Sequence, residues 1–515
     1  MEGFPLLSVL VWLPLVGALV VALAPALPSK LVGLGFAAVT LVLAVVAAVD
    51  YQVDGGMQLE ETHTWIEAFG VHYALGLDGL GLLMVLLTAV LVPIVLVAEW
   101  RHADDAQGSG ARSFVAWALA LEALSLAVFC ATDVFLFYVV FEATLIPAYF
   151  LIGGFGREGR GAAAMKFLMF QLAGGLILLA SVVGLYVVSA EQGTPSYLLS
   201  DLAALDIDTT AGRWLFLGFF VAFAIKAPLF PLHTWLADTT EKATPGTSVL
   251  LVCVLDKIGT FGMLRFCLGI FPEASQWATP VVIALALISI VYGALVAIGQ
   301  DDVLRLIGLT SLSHFGFITL GIFAMSSQGG SGAVLYMVNH GIGTAALFLL
   351  AGYVLHRRGT MLISEMGGLE KVTPVLAGLF LVAGLATLGL PGLSPFVSEF
   401  LVLVSAFDYS WWVGGIAVTG IVLAAIYVLW MYQRVFTGGP RPVTDLEGTK
   451  DLGLREIGAV APLMVALVFF GFYPAPLLDV SNPMVDDLLS HVGVTDDEPE
   501  VPPAEHAATT EEGDH

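Results

Sequence analysis

Apolar runs of about 20 residues recur along almost the whole chain, separated by short stretches rich in charge, Gly or Pro. A helix of that length crosses the roughly 30 Å hydrocarbon layer of a bilayer, and water is a poor solvent for a surface made of such helices. Composition agrees, with 58% of residues hydrophobic and 12% charged, against about 25% charged in soluble domains. Divided this way, the 515 residues hold about fourteen spans. Their centres fall near Leu15, Val42, Leu87, Ala120, Val140, Leu176, Phe220, Leu251, Leu287, Leu312, Ala345, Val382, Val422 and Leu467. The expected fold class is therefore an all-α polytopic membrane protein. The first apolar run follows Met1-Glu2-Gly3 with no basic segment before it, so it reads as a first span rather than a cleaved leader.

Basic residues set the orientation. With the N-terminus outside, the inside loops hold Lys30, Arg101, Arg112, Arg157, Arg160, Lys166, Lys242, Arg305, Arg357, Arg358, Lys371, Arg434, Arg441, Lys450 and Arg455, fifteen of the nineteen Lys and Arg. Arg213 alone falls outside, and Lys226, Lys257 and Arg265 lie within spans. This asymmetry follows the positive-inside rule. It places both termini on the outer side of an inner (plasma) membrane.

The net charge of -24 reports loops rather than an acidic ligand. Glu60, Glu61 and Glu67 sit in an outside segment, about Tyr51 to Tyr73, whose alternating apolar and polar residues read as a small hairpin. The tail, 481–515, carries acids and prolines from about Asp486 onward and no Lys or Arg, a composition expected to be disordered. Cys130, Cys253 and Cys267 lie in apolar runs without CxxC spacing, so no disulfide framework, metal site or iron-sulfur cluster is implied. Gly153-Gly154 and Gly329-Gly330 lack the strand-turn-helix context of a nucleotide site, and no nucleic-acid contact is expected.

Two spans carry internal prolines: Phe223-Ala-Ile-Lys226-Ala-Pro228-Leu-Phe-Pro231-Leu-His233 and Leu388-Gly-Leu-Pro391-Gly-Leu-Ser-Pro395-Phe-Val-Ser-Glu399. Proline removes a backbone donor and clashes with the preceding turn, so both helices should be broken. Paired broken helices in two halves of a membrane protein point to inverted repeats around a midplane ion site. The expected organisation is 1–111 with helices 1–3 and the hairpin, 112–270 and 271–438 as two five-helix repeats with helices 7 and 12 broken, 439–480 with helix 14, and the tail.

An ionisable side chain at a helix centre costs about 2.5 to 3.5 kcal/mol on insertion scales. Seven such groups stand out: Glu122, Glu142, Lys226, Lys257, His314, His340 and Glu399. A lone intramembrane His or Glu is as often a packing hydrogen-bonder as a proton carrier. Seven in one chain, two of them at helix breaks, favour a conduction path. A carboxylate about 4 Å from a buried ammonium stabilises it by about 4 kcal/mol at an effective dielectric near 20. Moving Glu142 relative to Lys226 would thus load or release a proton, which Lys257 could receive, the histidines relay near neutral pH, and Glu399 pass outward.

Several segments carry a resemblance to a known family. FYVVFEATLIPAYFLIGGFG, FAIKAPLFPLHTWLADTTEKATPGTSVLL, LTSLSHFGF, LPGLSPFVSEFL, YVLWMYQRVFTG and LGLDGLGLLMVLLTAVLVPIVLVAEW are similar to the M-type antiporter-like membrane subunits of proton-translocating NADH:quinone oxidoreductase, respiratory complex I. The likeness spans nearly the whole chain short of the tail. The helices holding Lys226 and Lys257 are shared with Mrp-type cation/proton antiporters, the alternative assignment, whereas the segments around Glu99, Glu399 and Trp430-Met-Tyr-Gln-Arg434 favour the M type. The resemblance implies fourteen helices, two inverted repeats, and proton movement coupled to quinone reduction in other subunits. It further implies that Glu142 and Lys226 form a regulatory pair, that Lys257 and His314 connect to the centre, and that Glu399 is the terminal proton site. FMN, iron-sulfur clusters and quinone would be bound by other subunits, with no redox centre in this chain, and L-type and N-type subunits would flank it. Two positions depart from the family: Leu304 stands in Asp302-Val-Leu304-Arg305 where a lysine is common, and Asp256 replaces an apolar residue beside Lys257.

Overall fold

The computed structural model describes residues 4–53, 56–101, 110–193, 195–438, 446 and 448–496. Residues 497–515, most of the expected disordered tail, lie outside the described residues, as does Arg441. Among the described residues, twelve helices are long and apolar enough to cross a membrane. Aspartate and hydroxyl side chains start many helices by accepting from free amides of the first turn. Asp78 accepts from Gly81, Asp133 from Phe135 and Leu136, Asp208 from Thr210 and Ala211, Asp302 from Arg305, and Ser326 from Gly329. Part of the acidic excess therefore caps helices.

Three segments form the centre of the bundle: Pro245–Leu268, Val303–Phe323 and Ser327–Arg358, each wholly buried in its apolar window. Around them, Ser29–Asp50, Arg160–Gln192, Trp411–Phe436 and Leu454–Phe472 keep much of their apolar surface outward, as helices facing hydrocarbon must. Leu31, Val42, Leu176 and Val422 are among the exposed apolar residues.

Both proline-bearing helices break. Thr209–Lys226 ends at Lys226 itself, and the chain resumes as Thr234–Lys242. Pro374–Thr387 is followed by Ser394–Tyr409, joined by a turn in which Gly389 and Gly392 adopt φ of +76° and +94°. A third irregularity has no proline within it. Pro245–Leu268 is π-helical over Val249–Leu255 and again over Met263–Leu268, with α-helical Lys257–Gly262 between. The sequence carries no signal for this, because the wider turns are selected by packing rather than by residue type.

The segment from about Tyr51 onward holds the expected hairpin, Gln58–Ile66 antiparallel to Val71–Leu77, turning at Gly70 with φ +63°. The disordered-tail reading needs correction at its start. Ala475–Val492 is a helix, and Met484, Val485, Leu489 and Val492 are buried. Its acids, Asp479, Asp486 and Asp487, share an amphipathic helix with those apolar residues, which composition alone does not reveal.

Candidate functional site: a buried line of proton-binding groups

Lys226, Lys257 and Glu399 are 0%, 0% and 3% exposed. None faces lipid. His314, His340 and Glu122 are also buried, whereas Glu142 is only partly so.

Lys257 projects from the short α-helical stretch between the two π-helical segments. Its Nζ lies 2.6 Å from His340 Nδ1 and 3.4 Å from the Val252 carbonyl, a group of the π-helical turn. With Lys257 as the ammonium, Nδ1 accepts, which places the ring proton of His340 on Nε2. Ser311 Oγ lies there at 3.2 Å and accepts it. The His340 and His314 ring centroids are 5.1 Å apart. His314 Nε2 in turn lies 3.4 Å from the Tyr427 hydroxyl, and its ring centroid is 5.9 Å from that of Tyr336. Tyr336 donates to Glu399 Oε1 at 2.6 Å. Between the two histidines and Tyr336 a cavity of about 10 Å³ is lined by Asn339, Thr344 and Thr387 as well, enough for about one water.

The central helix Ser327–Arg358 supplies Tyr336, Asn339 and His340. Tyr336 and His340 are four residues apart and so lie on one face, one toward Glu399 and the other toward Lys257. Asn339 donates to the Ser394 carbonyl and to Ser398 Oγ at 2.8 and 3.3 Å, tying this helix to the start of the one bearing Glu399. Gly389 closes the other side of the carboxylate: a Cβ there would fall 1.9 Å from Glu399 Oε2.

Among the described residues no ion pair joins Glu142 to Lys226. Lys226 Nζ donates instead to Thr144 Oγ1 at 3.3 Å and stands 4.6 Å from the Phe141 ring centre. Phe141 and Thr144, three residues apart, face Lys226 together, and Glu142 does not share that face. Its Oε1 has no hydrogen-bond partner and lies against Gly175, where a Cβ would be 1.8 Å from it. Glu122 is not joined to the line either, and neither of its oxygens has a partner.

Sequence reading passed over Tyr336, Tyr427 and Ser311, which are neutral and unremarkable in an apolar run. It also missed the buried pair of Arg265 with Asp78, whose two hydrogen bonds measure 2.5 and 2.6 Å. Arg265 was legible as a cation inside a span, but its partner, 187 residues away in sequence, was not. At the end of the molecule that carries most of the basic loop residues, Arg157 pairs with Asp302, and Lys166 and Arg305 share Asp238. Leu304 is fully buried there, so this departure from the pattern the resemblance implies is packed in the core.

Comparison with known proteins places this arrangement. The family described as NADH:quinone oxidoreductase/Mrp antiporter, transmembrane, matches residues 131–424, more than half of the chain. The chain belongs to that family. Within the oxidoreductase/Mrp antiporter family, it is 46% identical to the NADH-quinone oxidoreductase subunit M of Mycobacterium tuberculosis, with all of both chains covered. It is 36% identical to the protein of the same name from Rhodobacter capsulatus, covering 94% of this chain and 96% of that one. A chain of respiratory complex I from Thermus thermophilus superposes with a TM-score of 0.86 at 34% identity, over 95% of this chain and all of that one. A chain of the Mrp complex from Dietzia superposes nearly as well, TM-score 0.85, but at 23% identity over 96% of this chain and all of that one, which speaks for the fold alone.

Proposed function

We propose that this chain is a proton-translocating membrane subunit of NADH:quinone oxidoreductase and that protons pass along Lys257, His340, His314, Tyr336 and Glu399. The observation that carries the reading is the continuity of that line. Its two ends are hydrogen bonds of 2.6 Å, and its middle is a pair of ring contacts around a cavity the size of one water. Lys226 feeds the line, and Glu142 acts on Lys226 by changing its distance as the helices move. Glu122, buried but not joined to that line by a hydrogen bond, is on this reading a further proton-carrying carboxylate. The groups from Lys257 to Glu399 are buried away from bulk water, so a proton that enters has few places to go other than the next group.

The likeness to subunit M chains supports placement among other subunits of that complex, between L-type and N-type neighbours in an inner membrane with both termini on the outer side. Flavin, iron-sulfur clusters and quinone belong, on this reading, to other subunits. The two broken helices support 112–270 and 271–438 as inverted repeats and a total of fourteen helices. The Mrp-type cation/proton antiporter reading is weaker, because its structural relative shares the fold at 23% identity. The test is Lys257→Met in the assembled complex, reconstituted in proteoliposomes. Proton uptake driven by NADH should be lost while the complex still assembles, and unchanged uptake would refute the relay.

A further inference from the structure

The line of contacts described above is interrupted between the two lysines. Lys226 Nζ is engaged by Thr144, and Lys257 Nζ by His340 and the Val252 carbonyl. No hydrogen bond links one amine to the other. Asp256 lies beside Lys257 in the segment that packs against the break after Lys226. It sits where π-helical Val249–Leu255 gives way to Lys257–Gly262, and its amide donates to Leu251, five residues back, at 2.8 Å. Its side chain is fully buried, yet neither carboxylate oxygen has a hydrogen-bond partner. Buried polar groups are almost always satisfied, so an exception of this kind calls for a reason.

The surroundings supply one. Asp256 and Lys257 are adjacent in sequence, so their side chains leave the helix about 100° apart, one turned away from the other. Lys257 takes the direction of His340. The segment is pressed against the break after Lys226: a Cβ on Gly259 would lie 2.4 Å from the Ala227 amide nitrogen and 2.6 Å from the Phe223 carbonyl oxygen. Asp256 and Gly259 are three residues apart and so share a face of the helix, the face that meets the Lys226 break. A buried carboxyl with no hydrogen bonds and two amines as its charged neighbours gains or loses a proton according to the charge those amines carry.

We propose that Asp256 is a proton-carrying site between Lys226 and Lys257, bridging the break between the two lysines. In the first step the Lys226 ammonium gives a proton to the Asp256 carboxylate, leaving a neutral amine and a neutral carboxylic acid. In the second the acid gives that proton to the Lys257 amine, restoring the carboxylate and forming an ammonium. Each step moves one proton and no electrons, and the summed charge of the three groups is unchanged. Each requires a side-chain rotation or one intervening water. The wider π-helical turn, which carries Asp256 at its end, gives the residue room for this movement.

The inference rests on the relay reading given under Proposed function, and the experiment separates the two. The whole complex carrying Asp256→Asn, Asp256→Glu or Lys257→Met is reconstituted in proteoliposomes, and NADH-driven proton uptake is recorded with infrared difference spectra under turnover. Asp256→Asn keeps size and polarity but cannot hold a proton, and should lower uptake by about 100-fold, the low end of what loss of a positioned proton donor causes. Asp256→Glu should restore uptake and shift a carboxylic-acid band seen in the parent. Full uptake in Asp256→Asn with none in Lys257→Met overturns this proposal alone, whereas full uptake in both overturns the relay and this proposal with it. Should Asp256→Asn fail to assemble, a turnover spectrum with no acid band that differs between the parent and Asp256→Glu overturns the proposal.

Discussion

Gly259 is the point at which the two lysine-bearing segments touch backbone to backbone, and Gly259→Ala tests how much that closeness matters. A methyl group there would sit 2.4 Å from the Ala227 nitrogen, 2.5 Å from the Ala227 Cβ and 2.6 Å from the Phe223 oxygen, where ordinary contact begins near 3.4 Å. These are largely backbone atoms and no rotamer change clears them. The segments must therefore separate by about 1 Å, and overpacking of this kind costs about 1 to 3 kcal/mol. Set against an arrangement in which they lie apart, that energy shifts the balance about 5- to 150-fold. Gly35 provides the control, since nothing lies within 4 Å of a Cβ there and alanine favours a helix over glycine by about 1 kcal/mol. The assay is NADH-driven proton uptake by the reconstituted complex, with thermal unfolding measured in parallel. Gly259→Ala should lose uptake and stability together, and Gly35→Ala should lose neither. Unchanged uptake in Gly259→Ala would refute the view that proton passage depends on close packing of the Lys226 break against the Lys257 segment.

Two further outcomes follow from contacts at the ends of the molecule's buried network. Tyr336→Phe removes the donor at 2.6 Å from Glu399, and because a hydrogen bond to a charged group is worth about 1.5 to 3 kcal/mol, uptake should slow about tenfold or more in a stopped-flow measurement with assembly unchanged. Arg265→Met should prevent stable assembly, because stranding the buried Asp78 carboxylate costs about 3 to 5 kcal/mol. The double variant Arg265→Met with Asp78→Leu should recover much of the assembled complex, as judged by native gels.

What could be read from the sequence follows from what is expensive in hydrocarbon. The spans, the broken helices at Pro228 and Pro391, and the buried positions of Lys226, Lys257 and Glu399 each carry a cost visible in a string of letters. The hairpin showed through its alternation. Groups that cost little left no trace: Tyr336 and Tyr427 resemble any aromatic residues in a span, although one donates to Glu399 and the other lies beside His314. The π-helical turns around Lys257 were equally hidden, being a response to neighbours rather than to local residue preference. That Lys226 would donate to Thr144 rather than to Glu142 was hidden because it depends on helix rotation, which sequence does not report. The helix Ala475–Val492 was obscured because an overall acidic composition masked its apolar stripe.

The central helix Ser327–Arg358 has 32 residues and is therefore about 48 Å long, well beyond the thickness of a lipid core. Near its far end the Arg357 guanidinium grips the Glu456 carboxylate at 3.0 and 2.7 Å and reaches the carbonyls of Lys450 and Asp451. His340 lies seventeen residues earlier on the same rod, about 26 Å away. An unbroken helix transmits tilt and axial shift along its length without absorbing them, so whatever pulls on that grip at the membrane surface also alters the spacing between an imidazole and an amine deep inside. One continuous helix thus joins the Arg357–Glu456 ion pair in the loop layer to His340 in the buried line.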